Sequence, residues 1–142
     1  MIRPATRGDI PQLQRVRAAV RENVLRTPGK VTVRDYEEHI DGRGRTWVAE
    51  HDGAIVGFVS VDGAASWLWA LFVDPDHEGR GLGRALLAAA LAWSRERGAT
   101  SLGLTTEPST RAERFYRAAG FVAQGLEHGE IRFALALDAA AG

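Results

Sequence analysis

Apolar residues first recur at helical intervals: Ile10, Leu13, Val16, Val20 and Val24 predict an amphipathic helix reaching about Arg26. Ahead of it, Ile2 to Ala5 reads as a short strand, and Thr6 and Asp9 stand at capping-box spacing. Thr32 opens a second short helix, with Asp35 in its first turn and Tyr36 and Ile40 four apart. The pattern then turns β-rich. Arg45 to Glu50 and Ala54 to Val61 form two strands joined through Asp52-Gly53, a hairpin signal. Asp62-Gly63 starts a second connection. Ser66 to Val73 follows as a strand apolar throughout, which predicts burial on both faces, and Asp74-Pro75 ends it. Gly83 to Arg97 is an alanine- and leucine-rich helix closed by Gly98. Leu102 to Thr106 is a strand and Thr110 to Ala119 a helix ended by Gly120. Phe121 to Leu126 pairs with Ile131 to Leu137 as a closing antiparallel ribbon. The order β-α-α-β-β-β-α-β-α-β-β predicts an α/β (α+β) fold, a mixed sheet with helices on both faces. It forms a single domain over residues 1–137, with residues 138–142 as a loose tail.

Composition narrows the function classes. Eighteen basic residues balance eighteen acidic ones, which argues against a dedicated nucleic-acid binder. The absence of cysteine excludes disulfides, thiolate metal sites and any route through a cysteine acyl-enzyme. The four histidines show no metal-ligand spacing, so no metal is expected. The longest apolar run, Ala85 to Trp93, is far short of the ~20 residues of a membrane span. Met1-Ile2-Arg3 runs into Pro4 without an apolar stretch, so no secretory leader is expected and the cytoplasm is the expected compartment. Lys30 is the only lysine; the dominance of arginine, with abundant alanine and glycine, points to a GC-rich, bacterial genome. Seven basic residues up to Lys30, against Asp9 and Glu22, read as a solvated helix face or as a surface for an anionic acceptor.

Chemistry concentrates between the apolar strand and the long helix. Three glycines, Gly79, Gly81 and Gly83, fall within five residues there. Glycine permits positive φ and close approach to the backbone. Such a turn at a helix start aims several N–H groups one way, where the helix terminus adds ~0.5 positive charge. Arg80 and Arg84 could add cationic side chains, so the turn reads as an anion cradle. Arg84-Ala85 after Gly83 breaks the Walker pattern, and Arg84 stands where the dinucleotide pattern needs its third glycine.

The stretch Leu71-Phe72-Val73-Asp74-Pro75-Asp76-His77-Glu78-Gly79-Arg80-Gly81-Leu82-Gly83-Arg84 resembles the acyl-CoA-binding motif of the GNAT superfamily of N-acetyltransferases. That pattern is [Gln/Arg]-x-x-Gly-x-[Gly/Ala], with Gly81 and Gly83 at its small positions and Glu78 replacing the leading Gln or Arg. The resemblance implies that the turn amides, Leu82 among them, hold the CoA pyrophosphate and that Leu71, Phe72 and Val73 pair with the pantetheine arm. Downstream, Phe115-Tyr116-Arg117-Ala118-Ala119-Gly120-Phe121 resembles the family's Phe-Tyr-x-x-x-Gly-Phe signature, which implies Tyr116 beside the CoA sulfur. Ser109 stands where the family commonly has an asparagine that touches the cofactor, and it could cap the helix. The resemblance covers essentially the whole chain. It implies a mostly antiparallel sheet and an acetyl-CoA-dependent N-acetyltransferase.

Direct attack by an amine on the thioester remains once an acyl-enzyme is excluded. An alkyl ammonium has a pKa of ~10.4, so deprotonation at pH 7 costs about 4.6 kcal/mol. The family often places a carboxylate on the strand before the turn, but Trp67-Leu68-Trp69-Ala70-Leu71 carries none. Glu107 is the first candidate base, directly or through water, followed by Glu22, His39 and His128. Trp67 and Trp69 share a strand face, as core or as a cavity wall. The expected partner is a small-molecule or peptide amine, with neither nucleic acid nor membrane, and a homodimer stays open. Two alternatives stand beside this: a CoA-binding sensor with little turnover, and transfer of a longer acyl group.

Overall fold

A computed structural model describes residues 1–20 and 31–138. Strand β1 (Ile2–Pro4) leads through a short 3-10 turn to α1 (Ile10–Ala19); α2 (Val33–Asp41) follows, then β2 (Gly44–His51), β3 (Ala54–Asp62) and β4 (Trp67–Val73). After a second 3-10 turn (Pro75–His77) come α3 (Leu82–Glu96), β5 (Ser101–Thr106), α4 (Arg111–Ala118), β6 (Val122–Glu127) and β7 (Glu130–Ala136). The expected order and mixed class hold. Helix α1, however, stops at Ala19, with Val20 extended at φ −83°, ψ 106°, rather than running to Arg26. Val24, Arg26, Glu22 and the tail beyond Asp138 lie outside the described residues.

Local chemistry accounts for the boundaries. The Thr32 hydroxyl accepts from the Asp35 amide at 3.2 Å while the Asp35 carboxylate accepts from the Thr32 amide at 2.8 Å, a reciprocal start for α2. Asp52 and Gly53, at φ 51° and 78°, make the left-handed pair that a two-residue hairpin needs. Arg3 grips Asp9 with both terminal nitrogens at 2.9 and 3.0 Å and Glu50 at 2.6 Å, tying β1, the first turn and β2 together.

The seven strands form one sheet in the order β1-β2-β3-β4-β5-β7-β6, with β4–β5 the parallel pair among otherwise antiparallel neighbours. On one face, α1 and α2 pack Leu13, Val16, Tyr36 and Ile40 onto Val48 and Phe58. On the other, α3 and α4 set Leu86, Leu87, Ala90 and Tyr116 against Val59, Leu102 and Phe133. Strand β4 belongs to both layers, yet it is not buried throughout as its composition predicts: Leu71, Phe72 and Val73 are only half-buried.

Two irregularities place the site. In the β3–β4 register, Ser60 faces Ala70 and Val61 faces Leu68, so Trp69 is an extra, bulged residue. The bulge turns Trp69 toward the α1/α2 layer, where it joins Ala70 and Phe72. Strands β4 and β5 meet only at Trp67 and Gly103, where the Gly103 amide donates to the Ser66 carbonyl at 3.1 Å. A Cβ on Gly103 would stand 3.0 Å from the Trp67 ring, so a side chain here would press that ring outward. Beyond it β5 stays paired with β7 along Ser101–Thr106, while β4 bends away and stays paired with β3 alone.

Candidate active site

The divergence opens a cleft of about 760 Å³ between β4 and the β5–α4 segment. Backbone N–H and C=O groups are obligatory hydrogen-bonding groups, and beyond Trp67 those on the β5 side of β4 have no strand to bond. They face the cleft and suit an extended, amide-bearing chain laid along the strand.

At one end of the cleft stands the glycine turn. Gly79 and Gly81 both have φ 79°, and Gly81 is the N-cap of α3 without any side-chain cap. The first bond of that helix start runs from the Ala85 amide to the Gly81 carbonyl at 3.0 Å. The amides of Leu82, Gly83 and Arg84 precede it and have no intrahelical acceptor. No atom lies within 4 Å of where a Gly81 Cβ would stand, so the space beside the turn is open. Gly83 is different: its Cβ would lie 3.4 Å from the Phe115 ring, in ordinary contact with α4 and not in open space.

Charge is arranged around that mouth. Glu78 does not repel an anion unopposed, because its carboxylate holds Arg111 at the start of α4 at 3.0 Å, from one wall of the cleft to the other. Arg84 also lines the cleft; Arg80 and Ser109 do not border it. Nor does Ser109 cap α4. Thr110 does, accepting from the Glu113 amide at 3.1 Å, while the Ser109 amide donates to the Glu113 carboxylate at 2.7 Å. Glu113 thereby selects the later residue as the cap.

Tyr116 borders the cleft from α4 with 7% of its surface exposed. Its ring lies 5.2 Å from Phe115, 5.4 Å from Phe121 and 6.4 Å from Phe133. Burial pushes its phenol above the ordinary value, so it stays protonated and keeps a proton to donate at neutral pH.

Two carboxylates enter from the β5/β7 wall. Thr106 pairs with Ile131, so Glu107 and Glu130 follow at the same end of that ladder, and both border the cleft. The Thr105 hydroxyl donates to Glu130 at 3.4 Å. Glu130 escaped the sequence reading because only the β5–β7 register brings it beside Glu107. His39 is buried away from the cleft, its ring stacked on Trp69 at 4.0 Å and its Nδ1 donating to the Asp35 carbonyl at 2.8 Å. His128 sits exposed in the β6–β7 turn at φ 52°. Among the described residues no cluster of three or more acidic or histidine side chains could hold a metal. None of their helices is long and apolar enough to cross a membrane.

A split sheet with a free central edge, ending at an uncapped helix start, defines a fold that seats an extended ligand with an anionic tail. The model of the acetyltransferase (GNAT) family matches residues 13–121, and the chain belongs to that family. The expected fold and cofactor class stand with it. The chain is similar to a mycothiol acetyltransferase of Clavibacter sepedonicus, 39% identical over 98 residues, which cover 67% of this chain and 32% of that protein. It is also similar to a streptothricin acetyltransferase of Streptomyces lavendulae, 38% identical over 100 residues, 66% of this chain and 52% of the other. The match thus spans about a third to a half of these relatives' length. In fold it resembles the PaiA N-acetyltransferase of Thermoplasma acidophilum, determined with coenzyme A, at a TM-score of 0.84 with 16% identity, covering 96% of this chain and 98% of that one.

Proposed function

We propose that the protein moves the acetyl group of acetyl-CoA directly onto a primary amine of a small molecule or a protein, without an acyl-enzyme. The observation that carries this reading is the free edge of β4, running from Tyr116 and the Glu107/Glu130 wall to the uncapped start of α3. The cofactor supplies a thioester, an acyl group already activated toward amines.

The residues fit that substrate part by part. The Leu82, Gly83 and Arg84 amides receive the pyrophosphate, with Gly79 and Gly81 giving the turn its left-handed form. Leu71, Phe72 and Val73 offer backbone donors and acceptors to the amides of the pantetheine arm. Arg111 can pass from Glu78 to a phosphate without crossing the cleft, since it already reaches that wall.

Glu107, with Glu130 beside it, takes the proton whose removal from the amine costs about 4.6 kcal/mol at pH 7. Tyr116 donates a hydrogen bond to the sulfur as negative charge develops there. Without cysteine, no thiol competes with the amine for the acyl group. The test is release of free CoA thiol from acetyl-CoA across a panel of amines, read beside acetyl-CoA binding. Thiol release with a matching acetylated product supports transfer; tight binding without turnover on any amine indicates a CoA sensor instead.

A further inference from the structure

Among the described cations of the N-terminal segment, Arg17 stands in surroundings unlike those of Arg7 and Arg15. Arg7 pairs with Asp41 at 2.8 Å, and Arg15 reaches Asp74 at 3.7 Å. Arg17, on the inner side of α1, turns onto the sheet instead. Its guanidinium carbon stands 5.4 Å from the centre of the Trp69 ring and 5.0 Å from that of Phe72. Its Nη1 is buried without a hydrogen-bond partner, and no carboxylate among the described residues pairs with it. The guanidinium also lies within hydrogen-bonding reach of the Tyr36 hydroxyl and opposes, in part, the upward push of burial on that phenol, so the orphaned group is Nη1 and not the whole fork.

Trp69 and Phe72, the rings on which Arg17 lies, border the cleft together with Val20, while Arg17 itself is not part of that lining. The bulge that turns Trp69 to this side supplies the platform. His39 stacked beneath and Tyr36 edge-on at 5.5 Å hold that platform in place. A buried guanidinium nitrogen with an unmade hydrogen bond is costly unless something completes it, and the planar fork matches a carboxylate. Across the cleft, Glu107 and Glu130 present the opposite charge.

Resting on the acetyl-transfer reading above, we infer that the acceptor is an amine that also carries a carboxylate, which Arg17 receives while the amino group faces Glu107 and Glu130. The site then selects amino-acid-like acceptors over polycationic ones, because a second cation would meet Arg17 in a poorly hydrated position.

The test uses matched acceptors: glycine, β-alanine and lysine, each against its own primary amide, with thiol release and product mass as readouts. The carboxylate form is expected to exceed the amide by about 10- to 100-fold in kcat/KM for at least one pair, mostly through KM. Arg17→Met keeps the apolar stem on Trp69 and should collapse that ratio toward one; Arg17→Lys, lacking the fork, should restore only part of it. Wild-type preference for the amides, or no preference in any pair, overturns the inference while leaving acetyl transfer intact. Equal losses on both forms in Arg17→Met also overturn it, since they indicate a packing role. If wild type acetylates no amine at all, the transfer reading fails and takes this inference with it.

Discussion

Tyr116→Phe removes one oxygen and little else. The substituted ring keeps its place against Phe115, Phe121 and Phe133, so neither the core nor the cleft wall changes shape. What disappears is the hydroxyl proposed above as the donor to the departing sulfur. A thiol has a pKa of ~8.5 and a phenol ~10, so full transfer of the proton is already uphill by about 2 kcal/mol. Burial pushes the Tyr116 phenol higher still and widens that gap, so donation stops at a hydrogen bond. One hydrogen bond to a charged group is worth about 1.5–3 kcal/mol, or about 10- to 150-fold in rate. The interaction is made as charge develops, so the loss should fall on kcat and leave acetyl-CoA affinity and melting temperature nearly unchanged. Steady-state kinetics, calorimetric binding and a thermal melt on this one variant test all three. Wild-type kcat in the variant refutes the assignment. So does a lowered melting temperature with normal turnover, the pattern of a residue that only packs. Because its pKa is raised, Tyr116 should also cause no fall in kcat below about pH 10.

Acetyl-CoA at a hundred times its dissociation constant should stabilise the fold by about 2.7 kcal/mol, a melting shift of roughly 5–10 °C. Gly81→Val should fold with a strain of about 1–2 kcal/mol at its left-handed φ and lose most of that shift; an undiminished shift removes the turn from the phosphate site. Glu107→Gln should lower turnover by roughly 10²–10⁴ at neutral pH, with the loss shrinking at high pH where the amine is already free. If Glu130→Gln shows that pattern and Glu107→Gln does not, the base is Glu130. Asp9 is held below the usual carboxylate range first by its hydrogen bond to Arg3, so its contribution is complete above about pH 4 and disappears as pH falls through its lowered pKa. Asp9→Asn should therefore cost about 1–3 kcal/mol in neutral urea melts and less in acid, and a pH-independent cost refutes that origin.

Elements fixed by local chemistry were readable from the chain: the Asp52-Gly53 hairpin, the Thr32 cap, and α3 with Gly98 behind it all stand where their residues place them. What depends on partners distant in sequence was not. The bulge at Trp69 exists only in register with β3, and the cleft exists only because β5 keeps β7 while β4 keeps β3. Glu130 becomes a neighbour of Glu107 through the β5–β7 ladder. In the sequence Arg17 is one charge of a basic run that reads as a solvated face or as a surface for an anionic acceptor, because nothing in its own neighbours reveals the rings it lies on. Glycines predict a turn's freedom but not its neighbours, so Gly81 and Gly83 read alike and act differently.

Strand β4 is fourth of seven in the sheet, yet along most of its length one side is chemically a rim. Exposed rims invite another polypeptide to add on, the first step of aggregation, and proteins usually confine them to the outside of a sheet and blunt them with charges. No charge lies between Trp67 and Val73. The kink at Trp69 blunts this rim in another way. A foreign strand needs several evenly spaced partners in a row, and one displaced residue spoils the spacing while leaving single groups usable by a shorter, non-peptide chain. Deleting Trp69 would remove that displacement and leave an apolar template for strand addition at the centre of the molecule.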